Sequence, residues 1–267
     1  MREVGTIFYG VDEAGGNDAG SHSLPTLGVD LAAADENTAA CRIDWTASPA
    51  PVETFERVND DQLVELILGA DKAGLDVPFG WPDEFVEFVS AHHTNQPLPD
   101  VDRPHLRLRE TDRTVHAACG RWPLSVSADR IAIPAMRAAV LLARLAERGE
   151  PVDRSGAGRV VEVYPAAALA IWKLPSSGYK GAKGAGRRRD LIAELHERTG
   201  SWLAWSDDVR AACEASDDVL DSLVAALIAR AAALGLCEPT PVAYRDRAKR
   251  EGWIALPTGS NLSRLVG

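Results

Sequence analysis

Residues 217–236, DDVLDSLVAALIARAAALGL, constrain this chain more than any other stretch. After Asp221 the next charged side chain is Arg230, so a helix here has almost no polar face to turn toward water and belongs inside the molecule. Ser216 supplies an N-cap and Gly235 a stop. Three carboxylates nevertheless stand at its head. Asp217 and Asp218 suit a first turn, where the helix dipole favours acids by roughly 0.3–1 kcal/mol each. Asp221 falls one turn further in, among apolar neighbours. At about 100° per residue the three share an arc of roughly 100°, so their charges repel one another unless a cation sits among them.

At 267 residues the chain is long enough to bury a substantial core, as one large α/β domain or two small ones. No apolar run is long enough to span a bilayer, and the opening MREVGTIFYGVDEAGG lacks the pattern of a secretory signal, so the expected location is cytoplasmic. Cys41, Cys119, Cys213 and Cys237 are widely spaced and show no CxxC pair, which fits small buried side chains better than a disulfide framework or a zinc site. His92 and His93 sit in a stretch that reads as a surface loop, with no metal-ligand spacing. The formal charge of −10 argues against a general nucleic-acid binder. Two local basic patches remain, Arg103–Arg113 and Lys180–Arg189, and their plainest reading is solvated loop charge.

Short apolar or alternating runs at 26–32, 37–45 and 52–58 predict three strands in an antiparallel meander. A helix follows at 60–70, then a buried strand in AGLDVPFGWP that stops at Pro78. The region from about 82 to 158 reads as a long helical insertion with one clear helix at 134–149 and several Pro-rich loops. A strand at 159–165, a helix at AAALAIW, a Gly-rich basic loop at 176–189 and a helix in RRRDLIAELHERTG lead to the segment at 217–236. The last thirty residues show no clear pattern. The expected architecture is an N-terminal extension (1–25) and one α/β domain (26–267) with a mixed central sheet and flanking helices.

Asp30 in LGVDLAAA, Asp76 in GLDVPFG and Glu162 in VVEVYP are each flanked by apolar residues, where an unpaired charge costs several kcal/mol by order of magnitude. Together with Asp218 and Asp221 they are candidate ligands around a shared cation. Oxygen ligands without paired His or Cys favour Mg²⁺ or Mn²⁺ over zinc. Two such ions about 3.5–4 Å apart can activate water and stabilise a leaving oxygen in phosphodiester cleavage. The less favoured alternative is that the same acids are paired by Arg109, Arg137 or Lys180 in a structural network. Arg109 and Asp112, in RETDR, suit a phosphate clamp or a plain surface ion pair. Lys180 suits a reach toward a scissile phosphate from a flexible loop, and Arg137 and Arg187 are further candidate substrate contacts. Trp81, Trp172 and Trp253 sit in apolar contexts and are expected in the core.

GVDLA, GLDVPFGWP, LRLRETDR, PLSVSADRIAIPAMR, GRVVEVYPAAALAIW, YKG, DDVLDSLVAALIAR and EGWIALP together resemble the family catalogued as domain of unknown function 429, regarded from sequence as nucleases with an RNase H-like fold. The resemblance covers nearly the whole chain from about residue 26. It implies a three-strand meander followed by alternating helices and strands, with acids on strands one and four and in the last helix. DVLDSLVAA is also similar to the Asp-x-x-Asp-Ala-Leu end of RuvC-type Holliday-junction resolvases, which carries Asp218 and Asp221 over as metal ligands, with Asp30 as the strand-one acid and Asp76 as the strand-four acid. Glu162 has no such counterpart and is expected as an additional ligand or general base.

The expected function is therefore a Mg²⁺- or Mn²⁺-dependent nuclease acting on nucleic acid, with Asp30, Asp76, Glu162, Asp218 and Asp221 as its catalytic acids. The insertion is longer than in a minimal fold of this type, and the acidity is unusual for a junction-binding enzyme. Two other readings stay open: an actin-like phosphotransferase on the same core, and a non-catalytic binding module whose acids are structural.

Overall fold

The structure is a computed structural model that describes residues 25–266; the expected N-terminal extension falls, Pro25 apart, outside the described residues. Strands β1 (Thr26–Asp30), β2 (Ala39–Ile43) and β3 (Ala50–Glu56) form an antiparallel meander. Helix α1 (Asp60–Leu68) returns the chain to β4 (Lys72–Asp76), which pairs parallel with β1. Between β4 and β5 (Val160–Glu162) lie α2 (Asp83–His93), α3 (Arg103–Arg107), α4 (Glu110–Cys119) and α5 (Ala132–Glu147). Then come α6 (Pro165–Ile171), α7 (Ala185–Thr199), a short β6 (Leu203–Ala204), α8 (Asp207–Ala215), α9 (Asp217–Ala233) and α10 (Arg245–Glu251). The six strands make one mixed sheet in the order β5-β4-β1-β2-β3-β6.

Strand alternation sorts the side chains into two cores. Leu27 and Val29 of β1 and the following Leu31, with Ala73 and Leu75 of β4 and the following Val77, pack on Leu63 and Ile67 of α1 and on Ala138, Leu141 and Leu145 of α5. Cys41, Ile43 and Val161 face the opposite layer, built from α9 with Leu169 of α6, Leu191 of α7 and Val209 of α8. Every residue of α9 from Val219 to Ala231 is buried, Asp221 and Arg230 included. Ser216 caps it by accepting from the Asp218 and Val219 amides, and Gly235 ends it in the left-handed region at φ 67°.

What seats α9 so deeply is glycine in the strands beneath it. A Cβ at Gly28 would lie 2.0 Å from the Ser222 carbonyl oxygen and 2.1 Å from the Ala226 nitrogen; at Gly74 it would lie 2.8 Å from the Ala225 oxygen. The helix backbone thus rests directly on β1 and β4. Two residues along each strand, on the same face, come Asp30 and Asp76.

Several stretches differ from their sequence-based reading. His92 and His93 close α2 as exposed helical residues instead of occupying a loop: the helical spacing of Phe85, Val86, Phe88 and Val89 carries the helix through to them. The 176–189 loop ends earlier, at a 3₁₀ turn (Ala182–Gly184) that runs into α7, which places Arg187–Arg189 in the first turn of that helix. The final segment holds α10, and Ile254 bridges to Glu162 at the sheet edge. Trp172 and Trp253 are buried, while Trp81 is partly exposed. The four cysteines are free, two of them fully buried. No helix among the described residues is long and apolar enough to cross a membrane.

Candidate metal centre

Asp30 and Asp76 are direct neighbours in the parallel β1–β4 register, each at the carboxyl end of its strand. Asp221 descends onto them from α9, and one carboxylate oxygen from each of the three lies within 4.8 Å of the others. That span is what a single hard cation coordinated at about 2.0–2.6 Å can bridge. Asp221 is wholly buried, and the other two are partly so.

Packing three acids together costs ionisation. Burial first, then Asp76 and Asp221, hold the Asp30 carboxyl well above the usual range. Asp76 is pushed up to about 7 by burial, with Asp221 and Glu162 adding to it and Lys180 opposing. Burial also raises Asp221, against the pull of Lys180 and Tyr179. Asp218, half-buried one turn earlier on α9, is raised by burial and by Asp217; it contributes field to the site without joining the three-oxygen group.

One loop supplies the counter-charge. Tyr179 donates its hydroxyl proton to Asp221 Oδ1 at 2.8 Å, and Lys180 Nζ lies 2.6 Å from Asp221 Oδ2. Burial alone would lower the Lys180 pKa, but the Asp221, Asp76 and Asp30 carboxylates outweigh it and hold the ammonium charged. About half of the Lys180 side chain is exposed, at 53%. The Asp221 Oδ2 contact is ionic proximity: that oxygen receives no aligned hydrogen bond. A buried carboxylate oxygen with an open lone pair, facing two more acids, fits a divalent cation of the Mg²⁺ or Mn²⁺ type.

Arg188 holds this loop in shape. Its guanidinium donates to the carbonyls of Tyr179, Gly181, Glu214 and Ala215, tying the turn to the start of α9. Asp217 accepts from the Gly181 amide at 3.0 Å, which occupies it away from the cluster. Sequence places Arg188 only in the Lys180–Arg189 basic patch and Tyr179 only in the YKG motif, with no role for either at the acids. Their one signal is local: a Tyr-Lys pair bracketed by Gly178 and Gly181, both at positive φ.

A family model described as "Protein of unknown function (DUF429)" matches residues 28–244, well over half of the chain. The chain belongs to the DUF429 family. Comparison with curated proteins and with solved structures gave no match. The span matched to DUF429 takes in Asp30, Asp76, Lys180 and Asp221 together with Arg109 and Glu162.

Glu162 does not join the three acids of this DUF429 chain. It has the strand parity of Val160, which packs on the α1/α5 side, while Val161 and Val163 face α9, so its carboxylate leaves β5 on the face away from Asp221. There it accepts two parallel bonds from Arg109, at 2.7 and 2.9 Å, and one from the Phe79 amide at 3.0 Å. The other Arg109 donors go to Asp112 and to the Glu251 carbonyl, which uses all five. Arg109 is 1% exposed and Asp112 fully buried, so the pair is neither a surface ion pair nor free to clamp a phosphate. Arg137, on α5, is committed to Asp60, Asp35, Thr38 and the Ala32 carbonyl, where it pins the β1–β2 loop. Arg187 is exposed on α7.

Asp30, Asp76 and Lys180 line a cavity of 470 Å³ at the ends of β1 and β4. A wider cleft, 760 Å³, lies elsewhere, between β3, α1 and α5. Arg144 pairs with Asp61 there and Arg148 with Glu65, and among the described residues no set of donors converges in it.

Proposed function

We propose that this protein is a divalent-metal-dependent nuclease on an RNase H-like scaffold. The reading rests on one observation, the meeting of Asp30, Asp76 and Asp221 oxygens within 4.8 Å at the ends of two adjacent parallel strands. An antiparallel meander followed by parallel β4 and β5, with an acid-bearing helix laid across them, agrees with the order that such a scaffold implies. Asp30, Asp76 and Asp221 would hold the ion, with Asp218 as a further oxygen nearby. Bound there, Mg²⁺ or Mn²⁺ supplies Lewis-acid charge for phosphodiester hydrolysis and lowers the pKa of water.

The chain's own groups have separate tasks. Tyr179 fixes the Asp221 carboxylate through Oδ1 and leaves Oδ2 for the cation. Lys180 neutralises the acids when no ion is bound and, on its half-exposed stem, carries a positive charge to the mouth of the cavity for a substrate phosphate. Arg109 and Glu162 hold the turn after β4 through the Phe79 amide and so keep Asp76 in place.

The test is Mn²⁺-dependent cleavage of labelled oligonucleotides by the wild type, Asp30→Asn and Asp221→Asn. The expected result is loss of cleavage by at least about a thousandfold in both variants, with folding retained. Undiminished cleavage in both, or a melting temperature that no divalent ion shifts, would reject the reading.

A further inference from the structure

The 470 Å³ cavity has two chemically distinct sides. One carries Asp30, Asp76, Lys180 and the mutually paired Arg109 and Glu162; the other is an apolar wall of Pro123, Leu124, Ile131, Ile133 and Pro134. The wall is not a core remnant, because Leu124 is 44% and Ile133 61% exposed. Arg130, which has no ion-pair partner among the described residues, lines the same space. Such a volume falls within the roughly 300–1,000 Å³ of sites that enclose a small ligand, and it shares their make-up of apolar lining with few convergent polar groups.

We infer that the substrate enters as an unpaired nucleotide of a single strand, its base on the Leu124/Ile133 wall and its phosphate toward Lys180 and the three acids; this rests on the nuclease reading. A duplex shows a protein chiefly its phosphates, its base faces being stacked away from contact. The apolar wall therefore gains nothing from a duplex, and a protein with a formal charge of −10 lacks the broad positive field on which duplex affinity depends. A single strand offers the opposite balance: an accessible flat base for the wall and one phosphate for two cations. Trp122, next in the chain to Pro123, is 50% exposed and stacked on His116 at 3.9 Å, which extends the apolar surface of this segment.

The full chain is titrated, with Ca²⁺ present, into a fluorescein-labelled single-stranded oligonucleotide and into its blunt duplex, and binding is read by anisotropy. The single strand is expected to bind about tenfold more tightly, and the Leu124→Ser/Ile133→Ser double variant, both sites being exposed, to lose that preference while keeping its melting temperature. Equal or tighter duplex binding, a preference that survives the double variant, or no binding to either form overturns the inference. Single-strand preference without Mn²⁺-dependent cleavage would sink the nuclease reading alone. Cleavage without the preference would sink this inference alone.

Discussion

Asp76 and Lys180 define the behaviour of the site without metal. Asp76 has an ordinary carboxyl pKa of 3.8 when unfolded and is pushed up to about 7 in the fold. Between those values the folded chain holds a proton that the unfolded chain has released, so stability contributed by this group is present below about 4 and is lost as pH rises toward 7. Allowing for its partial contact with solvent, the loss is on the order of 2 kcal/mol. Calorimetry of the metal-free protein should therefore show a higher melting temperature at pH 5 than at pH 7.5, with a flatter slope in Asp76→Asn. Lys180 competes with any cation for Asp221 Oδ2. Lys180→Met should bind Mn²⁺ roughly tenfold more tightly by titration calorimetry while melting lower in the absence of metal. The acids themselves were legible, since charges in apolar runs advertise themselves at Asp30, Asp76 and Asp221. Tyr179 was not, because an aromatic residue in a Gly-rich loop has no pattern that says which carboxylate it will meet.

At the scale of elements, α9 was the most readable part of the chain and α2 among the least, for the same reason. A helix is visible in sequence through what it buries, and α9 buries every residue from Val219 to Ala231 while α2 buries none fully. Strands β1 to β5 were legible as apolar or alternating runs, with ends displaced by a few residues, whereas the two-residue β6 left no pattern. Their decisive detail was missed: Gly28 and Gly74 are where α9 touches the sheet. Gly28→Ala should destabilise the protein by more than about 3 kcal/mol or prevent folding, since its Cβ would meet helix backbone that has no room to move. Gly186→Ala on α7, with nothing within 4 Å of the added methyl, is the matched control and should be neutral or stabilising by up to about 1 kcal/mol. Urea melts of the pair measure both.

Across the whole molecule, charge is organised on two levels: an acid cluster under α9 and a buried network on the other side of β5. Arg109, Asp112, Glu162 and Glu251 are each no more than 2% exposed and join α4, β5, α10 and the turn after β4. Sequence pointed to Glu162 as a ligand because it shows a lone acid in VVEVYP and cannot show that its partner lies in a distant helix. Removing only the cation leaves two buried carboxylates facing each other, so Arg109→Met should cost about 3–5 kcal/mol in equilibrium unfolding. Arg109→Lys should recover only part of that, because a lysine cannot serve two carboxylates and a carbonyl in one plane. Within this network Glu251 accepts from the Asp83 amide with one oxygen and from the Glu110 amide with the other. A single side chain near the end of the described chain thus acts as the shared keystone of α2 and α4. Whatever disturbs α10 will loosen α2 and α4 in concert, with the strands that carry the acids left standing.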